Sequence, residues 1–210
     1  MFENINLLIA DDHAIIRRGL KFLIDTQFKG IPITETDSLS GISQLINEKR
    51  FTHLILDMQL LDGNILEIFS TIKNEHPEVK TLIYSMSSKE VFGKRMIELG
   101  ADGFLSKESS ETDVISGLDL FFKGKKIFLS ILKTNTLSGK SSNPLTLLSD
   151  RELTVFTYLI KGMGVKEISN KLNLKPTTVA TFKARIFDKL GVSNVIDLQQ
   201  IAEFHNIKGS

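Results

Sequence analysis

Five residues of the chain could do chemistry together if the fold collected them. Asp11 and Asp12 close the apolar run Ile5–Ala10, and Asp57 closes His53–Leu56. Ser85 ends the run Thr81–Ser85, and Lys107 follows Gly103–Leu105. Three carboxylates with no cysteine and no nearby histidine cluster make a hard oxygen site. Such a site suits Mg²⁺, which favours one or two carboxylates together with water and phosphate oxygens. Lys107 would offer a positive charge to an anion, and Ser85 a hydrogen bond. A metal would also make ionisation of crowded carboxylates cheaper. Phosphoryl transfer depends mostly on positioning and on this kind of electrostatics. A carboxylate can itself accept the group as an aspartyl-phosphate. Asp57 is the best acceptor, since it stands alone on the central strand and faces the pair. Each residue taken singly reads as a turn residue or a solvated side chain. The signal lies in their placement together.

That placement needs strands that end at one edge. The first part of the chain alternates β-rich apolar runs with amphipathic helical patterns. The runs are Ile5–Ala10, Ile31–Glu35, His53–Leu56, Thr81–Ser85 and Gly103–Leu105. Helical patterns cover Ala14–Gln27, Ser40–Lys49, Ile65–Glu75, Lys89–Leu99 and Thr112–Phe122. Ile15, Ile16, Leu20, Leu23 and Ile24 form one apolar face of the first helix, and Gly100 stands where a helix ends. Five strand–helix repeats imply an α/β fold, a five-stranded parallel, doubly wound (flavodoxin-like) sheet covered on both faces. In such sheets ligands bind beyond the carboxyl ends of the strands, which is where all five residues fall.

The rest of the chain is different in kind. Thr134–Pro144 is rich in Ser, Thr, Asn, Gly and Lys and reads as a linker. We assign 1–127 to the first domain, 128–146 to the linker and 147–208 to a second, all-α four-helix domain. Ser149 and Glu152 form a capping-box pattern that opens a helix to about Lys161. Further helices are expected over Lys166–Leu172, Thr177–Leu190 and Asn194–Phe204.

Charge follows the same division. Residues 1–125 carry 14 Lys/Arg against 19 Asp/Glu, and residues 126–146 carry three Lys and no acid. Residues 147–210 carry nine Lys/Arg against six Asp/Glu. An acidic first part and a basic second part point to different partners, and the basic end is compatible with nucleic acid. The absence of cysteine excludes disulfides and thiolate metal sites. No run approaches the roughly 20 apolar residues of a membrane span, and Met1–Asn6 lacks a signal-peptide pattern. We expect a cytoplasmic protein with no membrane partner.

The segments LLIADDHAIIRRGL, LILDMQLLDGN, LIYSMSS and GADGFLSKE resemble the receiver domain of response regulators over its whole length. The resemblance implies that Asp11 and Asp12 organise Mg²⁺ and that Asp57 accepts the phosphoryl group. It makes the backbone carbonyl of Gln59 a further metal ligand. Ser85 matches the switch hydroxyl, Phe104 the aromatic switch position and Lys107 the lysine that reaches the phosphoryl group. Two positions depart from the family pattern: Leu61 stands where Pro is usual and Ile65 where Gly is usual. Gly63 or Asn64 is then expected to supply the positive φ.

The segment LLSDRELTVFTYLIKGMGVKEISNKLNLKPTTVATFKARIFDKLGV resembles the LuxR-type helix-turn-helix of the NarL/FixJ regulators. Thr177–Leu190 would be the recognition helix, whose N-terminal residues meet base edges. Val179, Phe182, Ile186 and Leu190 form its core stripe, and Glu152 reads as a helix cap. Ala180 stands where the family often has Lys, and Phe182 where it often has His. Direct readout would rest on Thr177, Thr178, Thr181, Ala184 and Arg185. Lys166, Lys175, Lys183 and Lys189 would touch phosphates, which position rather than specify.

Taken together, the resemblance implies a two-component response regulator. A sensor histidine kinase would phosphorylate Asp57, Ser85 and Lys107 would move toward the phosphoryl group, and Phe104 would rotate inward. Homodimers would then bind double-stranded DNA to regulate transcription, with RNA polymerase as a candidate partner. The chain would not be an enzyme. An aspartyl-phosphate phosphatase usually carries a second Asp two residues after its nucleophile, where this chain has Gln59. The remaining alternative is a phosphorylation-independent DNA binder whose receiver only dimerises.

Overall fold

The computed structural model describes residues 2, 4–87, 89–127, 144–205 and 207. The chain divides into two compact units. The first holds five parallel strands: β1 Leu7–Ala10, β2 Ile33–Thr36, β3 His53–Leu56, β6 Lys80–Ser85 and β7 Gly103–Ser106. Their order in the sheet is β2-β1-β3-β6-β7. Four helices connect them, α1 Ala14–Gln27, α2 Leu39–Glu48, α3 Phe69–Glu75 and α4 Lys89–Glu98, and α5 Glu111–Phe122 follows the last strand. A short antiparallel hairpin, β4 Gln59–Leu60 with β5 Gly63–Asn64, follows β3.

The expected doubly wound sheet is therefore present, and the strand register explains its core. Leu7, Ile9, Ile55 and Leu82 face α1 and α5 and pack with Leu20, Ile24, Leu118 and Phe121. The alternate residues Leu8, Leu54, Leu56 and Ile83 are equally buried. They point to the other face. Both faces are covered, which is why β1 and β3 read as unbroken apolar runs rather than alternating ones.

Some boundaries differ from the sequence expectation, for local reasons. β2 opens at Ile33 rather than Ile31, because Pro32 has no N–H to give a ladder; its carbonyl instead accepts from Leu7 N at 3.0 Å. The helix expected over Ile65–Glu75 is broken into a 3₁₀ turn, Ile65–Glu67, and α3. Gly100 ends the α4 turn at φ +96°, with Ala101 N donating to Met96 O at 2.8 Å.

The second unit holds a 3₁₀ turn, Pro144–Leu147, and four helices: α6 Asp150–Ile160, α7 Val165–Lys171, α8 Pro176–Leu190 and α9 Val195–Phe204. Leu145, Phe156, Ile168, Val179, Ile186 and Leu198 are fully buried in it. Most of the expected linker, 128–143, lies outside the described residues. Its last residues do not behave as linker: Pro144–Leu147 is an ordered turn and Leu145 is 0% exposed. A buried leucine must be bracketed by structure that holds it, so the second unit starts no later than Pro144.

Candidate metal centre and nucleic-acid interface

Parallel strands end together, so β1, β3, β6 and β7 deliver their next residues to one edge. Asp57 lies there, only 5% exposed. Its Oδ1 accepts hydrogen bonds from Met58 N at 2.6 Å and Ser85 Oγ at 2.5 Å. Its Oδ2 accepts from Lys107 Nζ at 2.6 Å. The same ammonium lies 2.6 Å from Asp11 Oδ2, so one lysine bridges two buried carboxylates. Burial pushes the Asp57 carboxyl above the usual range. Lys107 and Ser85 oppose that shift, while Asp11 adds to it. Burial would lower Lys107, but Asp57 and Asp11 outweigh it and hold its pKa above the ordinary lysine value. The lysine is therefore charged, and it neutralises part of the acidic cluster.

The cluster fits a divalent cation. Asp11, Asp12, His13 and Asp57 each bring a ligand atom within 4.8 Å of the others. Asp12 Oδ1 is buried and lies 2.6 Å from His13 Nδ1. Three carboxylate oxygens and one imidazole nitrogen gathered this closely are a donor set that a hard divalent cation can take. His13 is the one histidine in the group, a single ring rather than a cluster. It occupies the N-cap position of α1 immediately after the acidic pair, and its backbone N–H donates to Asp11 Oδ1 at 2.9 Å. Its signal in the sequence was simple adjacency to Asp12 at the strand end. Arg17, one helical turn later, donates to the Asp11 carbonyl at 2.5 Å and was also not anticipated.

The loop after Asp57 takes a shape that Leu61 and Ile65 permit without positive φ. Neither Gly63 nor Asn64 adopts it, contrary to expectation; Asn64 has φ −103°. Instead 59–64 closes as the β4–β5 hairpin, and Ile65 N donates to Met58 O at 2.9 Å. Asn64 and Glu67 form a capping box, and Ile65 is fully buried. Gly63 is required for space: a Cβ there would meet Leu39 Cδ1 at 2.5 Å and Glu67 Oε1 at 2.7 Å. Asp62 reaches across to accept from Leu39 N at 2.5 Å and Ser40 N at 2.9 Å. It thereby caps the first turn of α2. Burial raises the Asp62 carboxyl, but these backbone bonds prevail and hold it low. Gln59 lies in β4, two residues from Asp57.

The switch positions are already engaged. Ser85 and Lys107 both bond Asp57 directly, and Phe104 is 5% exposed, paired across β7 with Ile83.

In the second unit α7 and α8 are joined by Leu172–Lys175, with Asn173 at φ 51° and Leu174 N donating to Ser169 O at 2.9 Å. A tight turn between two helices is the geometry of a helix-turn-helix. Val179 and Ile186 are fully buried, while Phe182 and Leu190 are half-buried beside them. Thr177, Ala180, Thr181, Ala184, Arg185 and Asp188 are exposed. Thr178 is half-buried, and Thr181 Oγ1 donates to Thr177 O at 2.9 Å. Lys166 and Lys175 are exposed, and Lys183 Nζ lies 5.3 Å from the Phe187 ring centroid. Lys189 differs from the other lysines: its Nζ donates to Glu152 Oε2 at 2.6 Å and to Leu147 O at 3.2 Å.

Residues 7–119 match the family described as response regulator receiver domain, and residues 146–202 match bacterial regulatory proteins of the luxR family. The chain is 29% identical over 206 residues to Fimbriae Z protein of Escherichia coli K12, covering 96% of this chain and 98% of that one. It is 28% identical over 209 residues to response regulator UvrY of the same strain, covering 97% and 95%. Among solved structures, RcsB of Salmonella enterica serovar Typhimurium bound to promoter P1flhDC with the phosphomimetic BeF₃⁻ aligns with a TM-score of 0.77. That pair is 25% identical and covers 94% of this chain and 98% of RcsB. Among the described residues no helix is long and apolar enough to cross a membrane. The chain belongs to the response regulators of the NarL/FixJ type, with a receiver domain and a LuxR-type DNA-binding domain that regulate transcription.

Proposed function

We propose that Asp57 is the phospho-acceptor of this regulator, charged by a sensor histidine kinase in the cytoplasm, and that its phosphorylation controls dimerisation and DNA binding. One observation carries the reading: a single buried carboxylate at a strand end holds a lysine, a serine hydroxyl and a backbone N–H, beside two further carboxylates. A carboxylate oxygen of Asp57 attacks phosphorus, the bond from phosphorus to the donor's histidine nitrogen breaks, and that nitrogen leaves with the electron pair. Lys107 then faces a phosphoryl oxygen, and Ser85 can donate to another. Asp11, Asp12, Asp57 and the Gln59 carbonyl would hold Mg²⁺, whose charge offsets that of the entering group. An aspartyl-phosphate brings roughly −1.5 to −2 charge by analogy with other phosphorylated side chains, which competes for the Lys107 ammonium now shared with Asp11.

In the second domain Thr177, Thr178, Thr181, Ala184 and Arg185 face the bases, and Lys166, Lys175 and Lys183 face phosphates. Two protomers on a two-fold site would put half-sites about 34–36 Å apart, or a multiple of that. RNA polymerase is the expected downstream partner.

The test is phosphorylation by acetyl phosphate with Mg²⁺, read by intact mass, molecular size and DNA affinity. Wild type should gain one phosphoryl group, Asp57→Asn should gain none, and the gain should move dimerisation or DNA affinity. A second reading has its own support. Because Ser85 and Lys107 already bond Asp57, the receiver could dimerise without phosphate. DNA affinity equal in Asp57→Asn and phosphorylated wild type would favour that reading and sink the phospho-switch.

A further inference from the structure

Lys189 was expected to touch DNA phosphate, yet its ammonium is committed within its own domain. Glu152 is 3% exposed, and its Oε2 accepts from Lys189 Nζ at 2.6 Å, Ser149 N at 2.8 Å and Ser149 Oγ at 2.8 Å. Lys189 also donates to Leu147 O at 3.2 Å. The carboxylate oxygen thus joins the last turn of α8 to the start of α6, and the Lys189 ammonium adds the 3₁₀ turn before it. Charge placement favours the pair twice over, with the acid at a helix N-terminus and the lysine at a helix C-terminus. Burial alone would raise the Glu152 carboxyl; the bonds from Lys189 and Ser149 outweigh it and hold it below the usual range. The acid is therefore ionised, and Lys189 answers its charge.

The location makes the pair more than a brace. Val179 and Ile186 seat one side of α8, and apolar contacts alone leave a helix some freedom to rotate about its axis. Thr177, Thr181, Ala184 and Arg185 lie on the far side, so a small rotation would swing them out of register with base edges. A polar tie at the C-terminal end of α8 removes that freedom. Functional constellations need this kind of support from residues that do not touch the ligand.

We propose that Lys189 and Glu152 are a positioning pair that sets the angle of the recognition helix, and that Lys189 supports DNA binding through Glu152 rather than by contacting phosphate. This rests on the reading of α8 as the recognition helix. The two roles for Lys189 predict opposite signs for one variant. Glu152→Gln keeps an oxygen for Ser149 but removes the charge that holds Lys189. A positioning pair then loses affinity, whereas a phosphate-binding Lys189 would be released and bind more tightly.

The experiment uses the full chain treated with acetyl phosphate and Mg²⁺, and as probe the duplex that wild type enriches from a randomised pool. Affinity is measured across a salt series. Positioning predicts that Glu152→Gln and Lys189→Met each weaken binding roughly tenfold, the low end of the loss seen when partners that orient a binding group are removed. It predicts an unchanged salt slope and a double variant no worse than the weaker single one. A phosphate contact predicts a slope reduced by about one per protomer in Lys189→Met. Tighter or unchanged binding by Glu152→Gln, or that slope change, overturns the proposal. If a single variant unfolds, the double variant decides alone. It buries no unpaired charge, and its slope falls only if Lys189 touched phosphate. If wild type enriches no duplex, the reading of α8 fails, and the pair falls with it.

Discussion

The acidic edge of the receiver and the exposed face of α8 solve opposite problems. At the edge, polar groups are buried and answered by one another: Lys107 serves Asp11 and Asp57, and Ser85 and Met58 N serve Asp57. On α8 the expected readout residues are mostly exposed and await a partner. Covalent chemistry at one atom needs a dry, preorganised setting, because desolvated charges interact strongly. Reading a duplex needs side chains that water will give up. The edge can therefore be described almost completely from its internal geometry, while the α8 face takes its meaning from DNA.

The sharpest way to break this comparison is to remove the shared cation. Lys107 has a side chain 3% exposed between carboxylates exposed by 2% and 6%. Lys107→Met would leave two buried acids facing each other, and losing one partner of a buried pair costs about 3–5 kcal/mol. The receiver's denaturant midpoint should fall accordingly in metal-free buffer, and Mg²⁺ should restore part of the loss. Asp57→Asn, which relieves the crowding, should not fall comparably. Equal stability of Lys107→Met and wild type would mean that the edge is wetter and less mutually dependent than its geometry implies.

The opposite end of the same sheet offers the second test, since burial there meets no adequate counter-charge. His53, 8% exposed, sits edge-on to Phe121 and Phe122 with ring centroids at 5.0 and 5.8 Å. Burial, helped by Lys80 and opposed by Asp102, lowers its pKa to about 4. The fold thus prefers neutral His53, while the unfolded chain binds a proton below about pH 6.5. Stability from this group is complete above pH 6.5 and declines as pH falls toward 4, by about 3 kcal/mol at most. The difference in unfolding free energy between wild type and His53→Gln should shrink across that window. A constant difference would show that His53 does not stay neutral when buried.

The two regions were also legible to different degrees. Asp11, Asp12, Asp57, Ser85 and Lys107 could be assembled from the sequence because strand ends in a parallel sheet are fixed by pattern, and β3 and α1 begin and end where periodicity places them. The shape of the 59–65 loop could not. It depends on Asp62 capping α2 more than twenty residues away and on space beside Leu39, neither of which a local rule encodes. The pairing of Lys189 with Glu152 was hidden in the same way, because 37 positions separate them. His13 and Arg17 are local to the acidic pair, but their roles depend on how α1 leaves the sheet.

The smallest effect belongs to the exposed face. Ala180 is exposed on α8 between Thr177 and Ala184, at a position where the resemblance to LuxR-type domains leads one to expect Lys. Its truncated side chain makes Arg185 the principal cation beside the readout threonines. Ala180→Lys should leave unfolding almost unchanged, within about 0.5 kcal/mol, because the position is on the surface and lysine is a good helix former. DNA affinity should rise at low salt, with a salt slope steeper by about one per protomer if the new ammonium reaches a phosphate. If both affinity and slope stay put, position 180 does not face the duplex and α8 docks on another edge. If affinity rises but discrimination between the enriched duplex and a scrambled one falls, a further conclusion follows. The chain would then hold its cation count low on this face so that thymine methyl and hydroxyl contacts, rather than phosphate attraction, decide where it binds.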